Sequence, residues 1–231
     1  MKLRGANYIV RIIELLKAET LFAYPGGAIL PIYDALASTT LNNVLVRHEQ
    51  GASLAANAFG RVKGKPGFCL ATSGPGATNL VTGIADAYAD SVPMVAITGQ
   101  VPTSLIGTDA FQETDITGIC IPITKKTYLI RKIEDAGRIF LDAYKVAMQG
   151  RPGPVLIDVP KDVQNAEVEL PDNWEDSIIL PKKERTFKVH REELFEARDI
   201  FSQAKRPLII AGHGILIGEA WEELREFVKR E

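Results

Sequence analysis

Apolar positions along the chain follow two alternating textures. Over 6–18 they recur every three or four residues around Arg11 and Glu14, the spacing of an amphipathic helix. The next run, "TLFAYPG" (20–26), is almost unbroken in its apolarity and ends at Pro25-Gly26-Gly27, as a buried strand does where it enters a turn. The alternation continues with a short helix in "ILPIYDALAS" (29–38), a strand in "NVLVRH" (43–48) and a helix over 50–62. A strand in "GFCLATS" (67–73), a helix in "ATNLVTGIADAYADS" (77–91) and a strand in "PMVAITG" (93–99) follow. After a long loop, "CIPITKK" (120–126) reads as a strand, 134–148 as a helix and "GPVLIDVP" (153–160) as a last strand. Nearly all-apolar strands alternating with helices predict an α/β fold, a parallel sheet covered by helices on both faces.

From about residue 160 the texture changes. The stretch to 188 is polar and punctuated by proline, which suits a linker. Beyond it stand a helix in "REELFEARDIFSQA" (191–204), an apolar strand in "RPLIIAGHG" (206–214) and an amphipathic helix in "AWEELREFVKRE" (220–231). Two helices and one strand cannot cover both faces of a sheet. The chain therefore divides into a domain over 1–165, a linker over 166–189 and the beginning of a second α/β domain over 190–231. It stops inside a helix with no capping signal, so a fragment of a longer protein is expected.

Composition narrows the class without choosing a function. The 231 residues are 46% hydrophobic and 24% charged with a net charge of -2, and no basic tract appears, so nucleic acid is not expected as a partner. Cys69 and Cys120 lie in apolar contexts without metal-ligand spacing, as free thiols of a reducing compartment do. No run approaches a membrane span. The expectation is a soluble cytoplasmic protein, although a plastid or mitochondrial protein stripped of its leader would have the same composition.

The chemistry concentrates in the loops that follow strands. "RHEQG" (47–51) places Glu49 where an apolar strand gives way to an alanine-rich helix. A carboxylate there suits a helix N-terminus, and it also suits a dry site that must manage a proton. "ATSGPGATN" (71–79) is a glycine-rich turn that opens a helix, where a ligand could approach the backbone. It begins like a dinucleotide fingerprint, but Asn79 occupies the third glycine's place and no acid closes the next strand. In a parallel sheet the loops 24–27, 48–51, 72–79 and 99–115 converge on one edge, and the last has the length of a binding loop.

Other polar residues have ordinary explanations. Asp34, Asp86 and Asp90 read as helix-surface or capping groups, and His190 and His213 lack partners at ligand spacing. His48 suits a catalytic role or a packing role beside Glu49 equally well. There is no Gly-x-Ser-x-Gly elbow, His-Glu-x-x-His pair or Walker lysine.

At these loops the chain resembles the thiamine-diphosphate-dependent decarboxylases and carboligases, and within them the catalytic subunits of acetolactate (acetohydroxyacid) synthase. The likeness is carried by "YPGGAILPIYDAL", "RHEQGASLAANAFGR", the continuous stretch from "ATSGPGATN" through "GTDAFQETD", and "GRPGPVLIDVPKDVQ", in order over residues 1 to about 165. It implies that 1–165 is the pyrimidine-binding domain and that 190 onward opens the central domain. It implies that Glu49 hydrogen-bonds N1′ of the cofactor's aminopyrimidine and so favours the tautomer whose 4′-nitrogen takes a proton from the thiazolium.

The same likeness implies roles for the remaining site residues. The Gly26 backbone N–H would stand near the reacting carbon, and Gln112 would face the bound intermediate. Pro25 and Asn79 would contact the pyrimidine, with Thr72 and Gly76 shaping the turn beneath it. Pro102, Ala110 and Phe111 would wall a substrate channel, with Lys161 at its domain edge. Arg151 and the turn at Gly212 and Gly214 would contact FAD.

The implied reaction decarboxylates pyruvate and joins the two-carbon unit to a second pyruvate or to 2-ketobutyrate, at the start of branched-chain amino-acid synthesis. It implies homodimers or homotetramers, often with a small regulatory subunit. The Gly-Asp-Gly…Asn motif for the diphosphate and Mg2+ does not occur in the 231 residues, so the chain by itself is expected to be inactive. Competing readings are another thiamine-diphosphate enzyme, such as a pyruvate oxidase or a flavin-free catabolic acetolactate synthase, and a non-catalytic assembly domain.

Overall fold

The structure, a computed structural model, describes residues 1–181 and 189–230. The chain forms two compact units, Met1–Glu184 and Arg185–Glu231. The first begins with β1 (Lys2–Arg4) and α1 (Gly5–Leu15), then β2 (Thr20–Ala23), α2 (Leu30–Ala35), β3 (Asn42–Leu45) and α3 (Glu49–Lys63). It continues through β4 (Gly67–Ala71), α4 (Pro75–Asn79), α5 (Val81–Ala89), β5 (Met94–Gln100), α6 (Ile116–Cys120) and β6 (Lys126–Leu129). It closes with α7 (Ala136–Met148), β7 (Pro154–Pro160), α8 (Lys161–Asn165) and β8 (Glu167–Glu169).

Six strands form one sheet in the order β3-β2-β4-β5-β7-β6, and every pairing is parallel. The predicted α/β architecture is the observed one. Its physical reason is visible along single strands. β4 sends Phe68 and Leu70 into a core shared with α1, α2 and α7, and sends Cys69 and Ala71 into a second core shared with α3, α5 and α6. With both faces buried, each strand must be apolar throughout. The connection leaves β2 outward to β3 and then returns across β2 to β4. That reversal makes the C-terminal ends of β2 and β4 a topological switch point, where open parallel sheets bind ligands.

Three local expectations change. The run 120–126 is not a strand: its first residue ends α6, a 3-10 turn spans Ile121–Ile123, and β6 starts only at Lys126. Asp115 caps α6 by accepting the Gly118 N–H at 2.9 Å, and the apolar spacing there serves a short helix that buries Ile116 and Cys120. The helix expected over 77–91 begins earlier, at Pro75, and is divided at Leu80. Residues 161–180, of linker texture, carry α8 and β8, and β8 pairs antiparallel with β1. Trp174 then packs edge-on against Tyr8, with ring centres 4.8 Å apart. Of the linker expectation over 166–189, residues 182–188 lie outside the described residues.

The second unit holds α9 (Arg191–Gln203), α10 (Gly214–Ile217) and α11 (Trp221–Arg230). Phe201 of α9 and Phe227 of α11 approach with ring centres 5.1 Å apart. The strand expected over 206–214 does not form. A strand needs a hydrogen-bonded neighbour, and among the described residues of this unit none supplies one, so Leu208 and Ile210 stand 85% and 88% exposed. No described helix is long and apolar enough to cross a membrane.

Candidate active site

Glu49 is the first residue of α3 and is 8% exposed. His48 caps the helix, its Nδ1 accepting the Gln50 N–H at 3.1 Å, so the neutral ring carries its proton on Nε2. His48 thus serves as the N-cap of α3. Asn79, at the end of α4, donates its Nδ2–H to Glu49 Oε2 at 2.9 Å. Among the described residues nothing donates to Oε1.

The surface around Oε1 is made of glycine and threonine. A Cβ on Gly76 would lie 3.1 Å from Glu49 Oε1 and 2.7 Å from Thr72 Cγ2. A Cβ on Gly26 would lie 2.5 Å from Thr72 Cγ2. Thr72 ties the two loops together, since its Oγ1 accepts the Ala28 N–H at 3.1 Å while Gln164 Nε2 donates to the Ala28 carbonyl at 2.7 Å. The loop after β2 is thus held through both backbone groups of Ala28, and Gly26 stands over Thr72 without a side chain between them.

The long loop closes on the same turn. Gly74 has φ +59°, and a Cβ there would lie 2.7 Å from the Gln112 carbonyl oxygen. Gln112 itself has φ 58°, in a region that a non-glycine residue enters only when neighbours hold it. Glu113 supplies that hold: its Oε2 accepts the Ala110 N–H at 2.9 Å and its Oε1 accepts the Gly107 N–H. These backbone donors, Gly107 first, keep the Glu113 carboxyl below the usual carboxylate range. Phe111 beside it is 88% exposed.

The structure therefore brings Gly26, Glu49, Thr72, Gly76, Asn79 and Gln112 to one edge of the sheet, with Pro25, Pro102, Ala110, Phe111 and Lys161 on loops or helix starts of that edge. Arg151 lies elsewhere. It precedes β7 and donates to Ser91 Oγ at 2.6 Å and to the carbonyls of Tyr88 and Ala89 at 3.3 and 2.9 Å, closing the C-terminus of α5. That is the N-terminal edge of the sheet, a strand length of about 20 Å from the Glu49 edge. Gly212 and Gly214 belong to the second unit.

The groups dismissed in the sequence are surface partners. Asp90 pairs with Arg61, Asp34 with Arg4, and Asp86 accepts from Asn57, so the first and last join α3 to α5. Burial pushes the Cys69 thiol up to about 12 and the Cys120 thiol up to about 11, which leaves both protonated and unreactive. No group of three or more His, Cys, Asp or Glu among the described residues could hold a metal ion.

Three supporting residues escaped the sequence reading: Gln100, Asp158 and Gln164, all buried. Asp158 was the legible one, since a single acid inside "VLIDVP" has to find partners. Thr98 Oγ1 donates to its Oδ1 at 2.6 Å and Gln100 Nε2 to its Oδ2 at 2.9 Å. Burial, aided by the Asp115 carboxylate, pushes the Asp158 carboxyl up to about 7 against these hydrogen bonds.

Residues 3–119 match the family model described as thiamine pyrophosphate enzyme, N-terminal TPP binding domain. The chain is 50% identical over 229 residues to an acetolactate synthase large subunit of Corynebacterium glutamicum, covering 99% of this chain and 36% of that protein. It is 46% identical over 226 residues to the acetolactate synthase isozyme 2 large subunit of Escherichia coli, covering 98% and 40%. It is 48% identical over 231 residues to a probable acetolactate synthase large subunit of Methanocaldococcus jannaschii, covering 98% and 39%. The chain thus spans 36–40% of the length of these relatives.

Proposed function

The chain belongs to the thiamine pyrophosphate enzyme family, and from that premise we propose that it forms the pyrimidine-binding part of an acetolactate synthase large subunit. Residues 1–165 would be that domain and 190–231 the opening of the next. The observation that carries the reading is the Glu49 carboxylate: it is buried, held by Asn79 through one oxygen, and free at the other toward a cradle of Gly26, Thr72 and Gly76. A side chain on either glycine would collide with Thr72, and one on Gly76 would also crowd Glu49 Oε1, so the turn beside the free oxygen has to stay bare.

Thiamine diphosphate, when bound, supplies the carbon nucleophile that takes up a 2-ketoacid and lets carbon dioxide leave. What this chain contributes is binding and proton handling. Glu49 would hold the ring nitrogen N1′ and supply or take its proton through Oε1, while Asn79, donating to Oε2, would keep that oxygen free for the ring. Pro25 and the turn from Thr72 to Gly76 shape the floor, and the Gly26 backbone lies over it. Gln112 would serve the reacting carbon, Pro102, Ala110 and Phe111 would wall the approach, and Lys161 would meet the second 2-ketoacid.

The proposed substrates are pyruvate and 2-ketobutyrate, in a cytoplasmic assembly of two or four large subunits with a small regulatory partner. We assign Mg2+ to the part of the relatives that this chain does not match. The flavin assignment rests on the likeness of Arg151 and the Gly212–His213–Gly214 turn. Arg151 is already engaged at the end of α5, and no step passes through a flavin.

The test is product formation by a protein of the relatives' length that carries this sequence. With thiamine diphosphate, Mg2+ and FAD, pyruvate should give 2-acetolactate, and added 2-ketobutyrate should give the mixed product. A folded protein that releases acetaldehyde or acetyl phosphate, or that turns over no 2-ketoacid, would overturn the reading.

A further inference from the structure

Gln100 is the last residue of β5, is 4% exposed and uses every hydrogen-bonding atom of its amide. Its Oε1 accepts the Val101 N–H at 2.9 Å, and its Nε2 donates to the Thr114 carbonyl at 2.9 Å and to Asp158 Oδ2 at 2.9 Å. One side chain therefore joins the first and last residues of the loop 101–114 across its base. Asp158 decides which way round the amide sits. An acceptor beside Nε2 holds the N–H face toward Thr114 and the oxygen toward Val101; the reversed amide would set oxygen against oxygen at both Asp158 and Thr114.

The rest of the loop is fixed from this base outward. Thr103 is tied to Asp162 of α8 through its N–H at 3.0 Å and its Oγ1 at 2.5 Å. Glu113 gathers the Gly107 and Ala110 N–H groups, and the Gln112 backbone rests against Gly74. We propose that Gln100 and Asp158 are positioning residues that close the base of the 101–114 loop, and so set where Ala110, Phe111 and Gln112 stand for the second 2-ketoacid. The assignment of the loop to substrate rests on the function proposed above; the clamp itself rests on the hydrogen bonds.

Gln100→Asn shortens the amide by one methylene and breaks its reach. Asp158→Leu fills the site but removes the acceptor. Asp158→Asn keeps an acceptor for Gln100 and offers Thr98 a donor, so it is the conservative control. Hydrogen exchange on the 231-residue chain should show the loop 101–114 exchanging about tenfold faster in Gln100→Asn and Asp158→Leu, with β4 and β5 unchanged. Asp158→Asn should match wild type. In the protein of full relative length, Gln100→Asn should raise the KM for the second 2-ketoacid about tenfold while thiamine diphosphate affinity holds.

Unchanged loop exchange in both disruptive variants would overturn the clamp, and so would loop and sheet losing protection together. The expected exchange with KM unmoved would overturn its bearing on substrate. A wild type that exchanges as expected but turns over no 2-ketoacid would overturn the proposed function and leave the clamp standing.

Discussion

Asn79 Nδ2 and Glu49 Oε2 meet at 2.9 Å across 30 residues of sequence, joining the start of α3 to the end of α4. The contact bears on both explanations of the glutamate, since it goes with a helix start and with a buried side chain. Glu49 opens a helix where the dipole favours a carboxylate, and its side chain is turned inward to a neighbour that occupies only one of its oxygens. A surface capping acid would face water instead.

The cradle beside that carboxylate is tested by filling it. Gly76→Ala places a methyl 2.7 Å from Thr72 Cγ2, which should destabilise the fold by about 1–3 kcal/mol in urea unfolding. Thr72→Ser removes that methyl and keeps the hydroxyl for Ala28, leaving Glu49 Oε1 at 3.1 Å and Thr72 Cβ at 3.7 Å as the next atoms. The double variant should recover at least about half of the loss. Additive losses would place the strain elsewhere.

Asp158 predicts a pH dependence of stability. Its carboxyl titrates at about 7 in the fold against 3.8 ordinarily. A carboxyl raised by folding binds its proton more tightly in the folded state. Its contribution is therefore complete below about pH 4 and is lost as the pH rises through about 7. Asp158→Asn does not titrate; it keeps the Gln100 bond and replaces the Thr98 bond by one donated from its own amide to Thr98 Oγ1. Between pH 5 and pH 8, wild type should lose about 2.5 kcal/mol relative to that variant. Parallel stability curves would contradict the assignment.

Arg151 separates a structural role from a flavin contact. Its guanidinium closes α5 through Ser91, Tyr88 and Ala89, so Arg151→Ala should destabilise the chain by about 1 kcal/mol in the absence of any flavin. Unchanged stability together with weakened flavin binding would reverse that reading.

The sheet was legible because strands buried on both faces leave no room for polar residues, and the helices between them show their own period. The failures have local causes. β6 is an edge strand in which Lys126, Thr127 and Tyr128 face partly outward, so the stronger apolar signal lay one segment earlier, in "CIPITKK". β1 and β8 are three-residue strands, too short to carry a period. Among the candidate site residues, Glu49 and the glycine turns could be placed from their position after strands. Gln100 and Gln164 could not, because an amide at the end of a strand or in a short helix has no pattern, and its partners are 14, 58 and 136 residues away.

The most direct measurement compares wild type with Glu49→Gln in a protein of the relatives' length, following 2-acetolactate from pyruvate with saturating thiamine diphosphate, Mg2+ and FAD. Glutamine keeps the shape and the contact with Asn79 but cannot share a proton at Oε1. Product formation should fall by about 100-fold or more while unfolding and loop exchange stay close to wild type. Activity retained in a folded Glu49→Gln protein would contradict the proton-sharing role of Glu49.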